Sequence, residues 1–231
     1  MPASFDLIQF VVSLVVTVLS ITLHEFGHAI SADKLGDDTP RREGRITLWP
    51  DKHFDPFGFF MIMFTSIYGR GIGWGKPVMV QPRNFRNPRR DMVIVAVCGP
   101  VMNLALALFF GLIFRAILMA HHIDWIFNLK ADEYAPMSAQ YTLMGLFLYM
   151  FVTRNLSLMF FNLIPVHPLD GSKILSGLLP VNMAINYDRF IGQYGPLLLL
   201  GICFLGPQLI GQIIGPAVFA AFRLIVGTSL Y

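Results

Sequence analysis

His24-Glu25-Phe26-Gly27-His28 is an H-E-x-x-H motif. Residues four apart on a helix lie one turn apart on the same face, so both imidazoles can reach one ion. The intervening Glu25 points in an adjacent direction, close enough to take a proton from a metal-bound water. That is the arrangement of a zinc hydrolase. A polar cluster gluing helices together or relaying protons is the plain alternative. The motif lies inside an apolar run, Leu7 to about Ile30, where ionisable groups are costly and tend to be functional.

The elements that must position this motif are membrane helices. Apolar residues make up 55% of the 231-residue chain and charged residues 13%, against roughly 25% charged in a soluble chain. Mean hydropathy is +0.61. So few charges exclude both a soluble domain and a disordered one. Cys98 and Cys203 both lie in apolar runs and form neither a disulfide framework nor a thiolate metal site. The expected fold is an all-α multi-pass membrane protein with about five to six transmembrane helices in a single domain. Its core covers residues 7–180, followed by a helical pair over 190–231 hinged near Gly206-Pro207. Spans are expected over Leu7 to about Ile30, Met92 to Met119, and Thr142 to Ile164. No Lys or Arg precedes Lys34, so the first segment is expected to be a retained helix rather than a signal peptide. Phe54 to Tyr68 is short and flanked or broken by Pro56, Gly58, Gly69, Gly71 and Gly73, which suggests a re-entrant or interfacial segment.

Eleven of the seventeen Lys and Arg fall between residues 31 and 91, while the connection 120–141 holds only Lys130. The positive-inside rule then puts 31–91 in the cytoplasm and the N-terminus outside. The basic cluster is read as orientation and contact with anionic lipid, not nucleic-acid binding. A catalytic zinc usually takes three protein ligands and a water. The third ligand must reach the inner end of the first helix. Asp170, in Asn162-Leu163-Ile164-Pro165-Val166-His167-Pro168-Leu169-Asp170-Gly171, follows a span that runs inward and arrives on that side. Pro165 and Pro168 prevent a regular helix there, and Gly171 permits a sharp turn after the carboxylate. The donor set suits one zinc per chain, although His, His and carboxylate also suit iron, cobalt or manganese.

His24-Glu25-x-x-His28, Gly99-Pro100-Val101-Met102-Asn103 and Asn162…Pro165…Leu169-Asp170-Gly171, in this order over about residues 20 to 180, resemble the site-2 protease family of intramembrane zinc metalloproteases. Gly73-Trp74-Gly75-Lys76-Pro77-Val78 and Pro82-Arg83-Asn84-Phe85-Arg86-Asn87-Pro88 are similar to its small bacterial and archaeal members, those without PDZ or CBS domains. The resemblance implies zinc held by His24, His28 and Asp170, Glu25 as general base, and hydrolysis of peptide bonds in or near transmembrane segments of other proteins, as in regulated intramembrane proteolysis. It makes Asn103 an oxyanion donor or a clamp on the substrate backbone, against the plain role of an interhelical hydrogen bond. It likewise makes Asn162 a residue that holds the substrate backbone or braces the Asp170 turn, against the plain role of a cap at the broken helix end. A membrane-associated β-loop is expected over residues 56–80, where it would receive the substrate as an added strand.

His53 is a candidate substrate-contacting or oxyanion-donating group if its segment folds back over the site; a histidine near the headgroups is the plain reading. Arg154 is read as snorkelling or structurally paired, and the role of His167 stays open. The partners expected are transmembrane protein substrates and the lipid bilayer, with no nucleic acid; oligomeric state and substrate identity are not legible. The expected location is the cell membrane, with the active site toward the cytoplasm. Two other classes compete, a membrane metal transporter or sensor and a catalytically inactive scaffold. A transporter needs no Glu poised beside a metal-bound water.

Overall fold

The computed structural model describes residues 6–68, 73–128, 137–205 and 207–227. They form α1 (Leu7–Lys34), α2 (Thr39–Arg42), α3 (Pro56–Tyr68), α4 (Pro88–Met119), α5 (Met137–Gln140), α6 (Leu143–Asn162), α7 (Asp170–Leu178), α8 (Val181–Leu205) and α9 (Pro207–Val226). Among the described residues, three helices, α1, α4 and α6, are long and apolar enough to cross a membrane. Gly211–Val226 is a shorter apolar stretch, and the expected count of five to six spans is not confirmed among the described residues. α8 carries Asn182, Asn186, Asp188 and Arg189 in its first half, which leaves an apolar stretch only in its second.

α1 is an inside-out helix. Ser13, Thr17, Ser20, His24, His28 and Ser31 recur at helical spacing and are all buried, while Leu7, Ile8, Val11, Val15 and Leu19 are exposed. In water such a face would be a liability; against hydrocarbon it is the solvated side. The small polar residues let neighbouring helices approach closely. A Cβ on Gly27 would lie 2.8 Å from the Cys98 carbonyl oxygen, so only glycine fits where α1 meets α4. α4 runs antiparallel to both α1 and α6: His28 meets Val95, and His24 meets Asn103, which in turn meets Asn155 of α6. The apolar core lies on the other side of this trio. It joins Ala107 and Phe114 of α4, Leu148, Val152 and Leu156 of α6, and Phe222 and Ile225 of α9.

Helix ends are set locally. The Asp6 carboxylate accepts from the Gln9 N–H at 3.0 Å and the Thr142 hydroxyl from the Gly145 N–H at 3.0 Å, satisfying first-turn donors of α1 and α6. Asp55 does the same for α3, accepting from the Gly58 N–H at 2.8 Å. The β-loop or re-entrant segment expected over 56–80 is not confirmed: among the described residues this stretch holds a helix and no strand. With Asp55 as cap and Pro56 at the first position, where a missing N–H costs nothing, residues 56–68 wind into a helix. Gly58 does not break that helix; it makes room, since a Cβ there would sit 2.3 Å from the Trp74 carbonyl oxygen. Gly69 and Gly71 lie outside the described residues. Residues 73–81 are extended but form no strand; Gly75 makes an isolated antiparallel bridge with Phe54.

That extended segment is pinned at both ends. The Lys76 N–H donates to the His53 carbonyl at 2.8 Å, and the buried Arg45 guanidinium donates to the Lys52 and Lys76 carbonyls. At the far end the Asp37 carboxylate accepts from the Gln81 N–H at 2.6 Å, the Asn84 amide at 2.7 Å and the Thr39 hydroxyl at 2.6 Å. Burial alone would raise the Asp37 pKa, but these donors together hold it below the usual carboxylate value.

Candidate metal centre and cleft

α1 presents His24 and His28 one turn apart on its buried face. Asp170 comes from the first turn of α7, after a non-helical link over residues 163–169. The link folds back so tightly that a Cβ on Gly171 would meet the Leu163 and Ile164 carbonyl oxygens at 2.3 and 2.5 Å. The three side chains converge. Asp170 Oδ2 lies 3.2 Å from Nε2 of His24 and 3.2 Å from Nε2 of His28, and the two Nε2 atoms are 3.1 Å apart. All three residues are buried.

The surrounding carbonyls decide where the protons are. His28 Nδ1 lies 2.8 Å from the Val95 carbonyl, which can only accept, so Nδ1 carries a proton and, in the neutral imidazole that can ligate a metal, Nε2 is the lone pair. His24 Nδ1 lies 2.6 Å from Asn103 Oδ1 and donates to it, so its Nε2 is bare as well. The close approach of the two Nε2 atoms is therefore not a hydrogen bond. Asp170 Oδ2 is buried without a hydrogen-bond donor. Three acceptors facing one another without a proton repel, and a cation at their centre removes the repulsion. A tetrahedral zinc with bonds of about 2.0–2.1 Å keeps its ligand atoms about 3.3 Å apart, close to the spacing found here. The donor set fits the metal.

Gly99 makes that spacing sterically possible. A Cβ there would lie 2.4 Å from His28 Nε2 and 2.7 Å from His24 Cε1. Gly99→Ala should push the imidazoles apart and weaken zinc binding by about tenfold or more while helical content is kept. Chelator competition and circular dichroism on the purified variant check both halves.

A cavity of about 270 Å³ opens beside the three ligands. Glu25, Pro77, Val78, Val80, Asn162 and Leu199 line it, so α1, the extended segment, the end of α6 and α8 each supply a wall. One Glu25 oxygen accepts from the Val78 N–H at 3.1 Å. Gly75 permits this contact, because a Cβ there would meet Ile21 Cγ2 at 2.6 Å. Lys173 Nζ lies 4.0 Å from Asp170 Oδ1 at the rim.

The remaining candidates fall around this centre. Asn162 lines the cavity, with its amide donating to the Leu158 carbonyl at 2.9 Å. Asn103 is fully buried behind His24 and is not among the cavity-lining residues. His53 is fully buried too and is also absent from the lining. Its Nε2–H donates to the Thr47 carbonyl at 2.8 Å, and burial pushes its imidazole below the ordinary pKa. Arg154 donates to the Ser13 hydroxyl at 3.1 Å, and no carboxylate among the described residues pairs with it. Gly99 and Val78 stand in motifs read from the sequence, but their contacts were not anticipated, and Asn155 was not anticipated at all. The polar stripe along α1 was the available signal for a polar partner such as Asn155 on a facing helix.

Two imidazoles and a sequence-distant carboxylate converging where they could hold one ion, with a glutamate beside them, on helices able to cross a membrane, define a membrane-embedded metallopeptidase. The comparisons agree: residues 10–200 match the model of peptidase family M50, the site-2 protease family, and the chain belongs to that family. It is 39% identical over 197 residues to the protein named "Putative zinc metalloprotease YwhC" of Bacillus subtilis, covering 84% of this chain and 80% of that one. It is 36% identical over 100 residues to "Putative zinc metalloprotease Rip2" of Mycobacterium tuberculosis, covering 43% of this chain and 38% of that one. No solved structure matches it significantly. Family and relatives make this chain a zinc metallopeptidase, a hydrolase of peptide bonds.

Proposed function

We propose that this protein cuts peptide bonds in or near transmembrane segments of other membrane proteins, at the cytoplasmic side of the cell membrane, with one zinc per chain. The observation that carries the reading is the convergence of His24, His28 and Asp170 at the wall of a cavity that also holds Glu25. A zinc held by His24, His28 and Asp170 supplies Lewis acidity and a water acidified to a pKa near 7. Glu25 takes the proton of the attacking water and delivers it to the leaving amine nitrogen. The extended residues 73–81 offer backbone groups beside that carboxylate to an unwound substrate segment. Asn162 at the cavity wall is placed to hold the substrate backbone. The basic residues of 31–91 support the cytoplasmic orientation.

The test is cleavage in proteoliposomes of a single-span model protein, with fragment masses locating the cut. The expected result is a cut inside the span or at its cytoplasmic border, abolished by a zinc chelator and restored by zinc. Efficient cutting of soluble unfolded polypeptide with the span left intact would overturn the assignment.

A further inference from the structure

Asn155 of α6 is fully buried and touches neither the cavity nor a metal ligand. Its hydrogen bonds nevertheless lead to His24. Asn155 Nδ2 lies 2.9 Å from the Phe151 carbonyl and 2.9 Å from the Ser20 hydroxyl oxygen. A carbonyl only accepts, so the end of Asn155 facing it must be the NH2 group, and Oδ1 must face the other way. That oxygen lies 2.8 Å from the Asn103 amide, which must then present its own NH2 there. The Ser20 carbonyl, 3.5 Å from the same Asn103 nitrogen, enforces the same sense. Asn103 Oδ1 is left facing His24 Nδ1 at 2.6 Å, and the imidazole must answer with its proton on Nδ1. The chain of donors therefore starts at a main-chain carbonyl of α6 and ends by baring Nε2 of His24 toward His28 and Asp170. Reversing any amide would place two acceptors or two donors face to face in a site with no exposed atom to compensate.

We infer that Asn155 and Asn103 are positioning residues that act through His24, holding its tautomer and ring orientation for zinc. The inference rests on the metallopeptidase reading but deepens it at one ligand. It assigns Asn103 a carbonyl function, acceptance from His24, where its amide NH2 was the candidate oxyanion donor. It also brings in Asn155, for which sequence gave no role. Partners of metal-ligating histidines typically change metal affinity by about 10–100-fold when removed.

The first measurement is ¹⁵N NMR of histidine-labelled, zinc-free full-length protein in detergent at alkaline pH, with His24 assigned by its loss in His24→Gln. The expected tautomer is Nδ1–H. A dominant Nε2–H form in the wild type would overturn the inference. The second is zinc affinity by chelator competition. Asn155→Leu and Asn103→Leu should each weaken binding by about 10–100-fold. Asn103→Asp, which keeps an acceptor against Nδ1 but loses the donor to Asn155 Oδ1, should recover part of the loss and stay above Asn103→Leu. If Asn155→Leu fails to fold, the Asn103 pair decides alone. Zinc binding unchanged in Asn103→Leu would overturn the inference. Neither readout needs a substrate, so failure to find proteolysis would leave this result standing.

Discussion

Glu25→Gln is expected to lower peptide-bond hydrolysis by about 10²–10⁴-fold, the usual contribution of a group that moves protons in the transition state. Zinc content should stay at the wild-type level. The two halves follow from where Glu25 sits. It lines the cavity and has one oxygen on the Val78 N–H, but it takes no part in the triangle of His24, His28 and Asp170. An amide of the same shape can still accept from Val78 through its oxygen, so the extended segment keeps its place. What is lost is the ability to take a proton from the attacking water. The experiment is a single-turnover cleavage rate in proteoliposomes beside elemental analysis of the same preparations. Full cleavage by the variant would remove Glu25 from the mechanism. A transporter or sensor carrying the same metal would show no hydrolysis in either form.

Asp170→Ala is the second large effect. The carboxylate is the one anionic donor of the triangle, and its Oδ2 is buried without a compensating hydrogen bond. Its removal leaves two neutral imidazoles and one negative charge fewer. Because even an indirect partner of a ligand is worth about 10–100-fold in affinity, loss of the ligand itself should exceed that range. Zinc per chain after purification, read by elemental mass spectrometry, should fall from about one to a small fraction. Asp170→Asn, isosteric and neutral, should fall between. An Asp170→Ala protein that retains stoichiometric zinc would mean that another donor completes the centre.

How much was legible in the sequence differs from residue to residue. His24, Glu25 and His28 lie within one helical turn and a half, so their relation needs only the 3.6-residue period. Asp170 was reachable because its Pro-broken approach and Gly171 mark an irregular backbone, and because charge bias puts it on the same side of the membrane as His28. The three spans α1, α4 and α6 follow from apolar length. Residues 56–68 were less legible. Gly58 and the glycines that follow look like breakers, and only the packing of Gly58 against Trp74 shows that it is there for space. Gly99 and Asn155 were unreadable for a common reason. Each matters through an atom on another helix: the imidazole of His28 for the first, the amide of Asn103 for the second. A lone Asn or Gly in an apolar run carries no sign of which facing helix it serves.

The metal centre joins the first helix to one of the last elements of the core. His24 and His28 leave the ribosome early, and Asp170 comes only after α4 and α6 have been made. Until α6 is inserted and the turn before α7 is closed, the nascent chain has two imidazoles and no third donor. Hydrolytic competence thus waits for Asp170, late in synthesis. A truncated or stalled product ending before residue 170 would enter the membrane with its helices but without a blade, which spares the surrounding membrane proteins from an enzyme that is not yet enclosed.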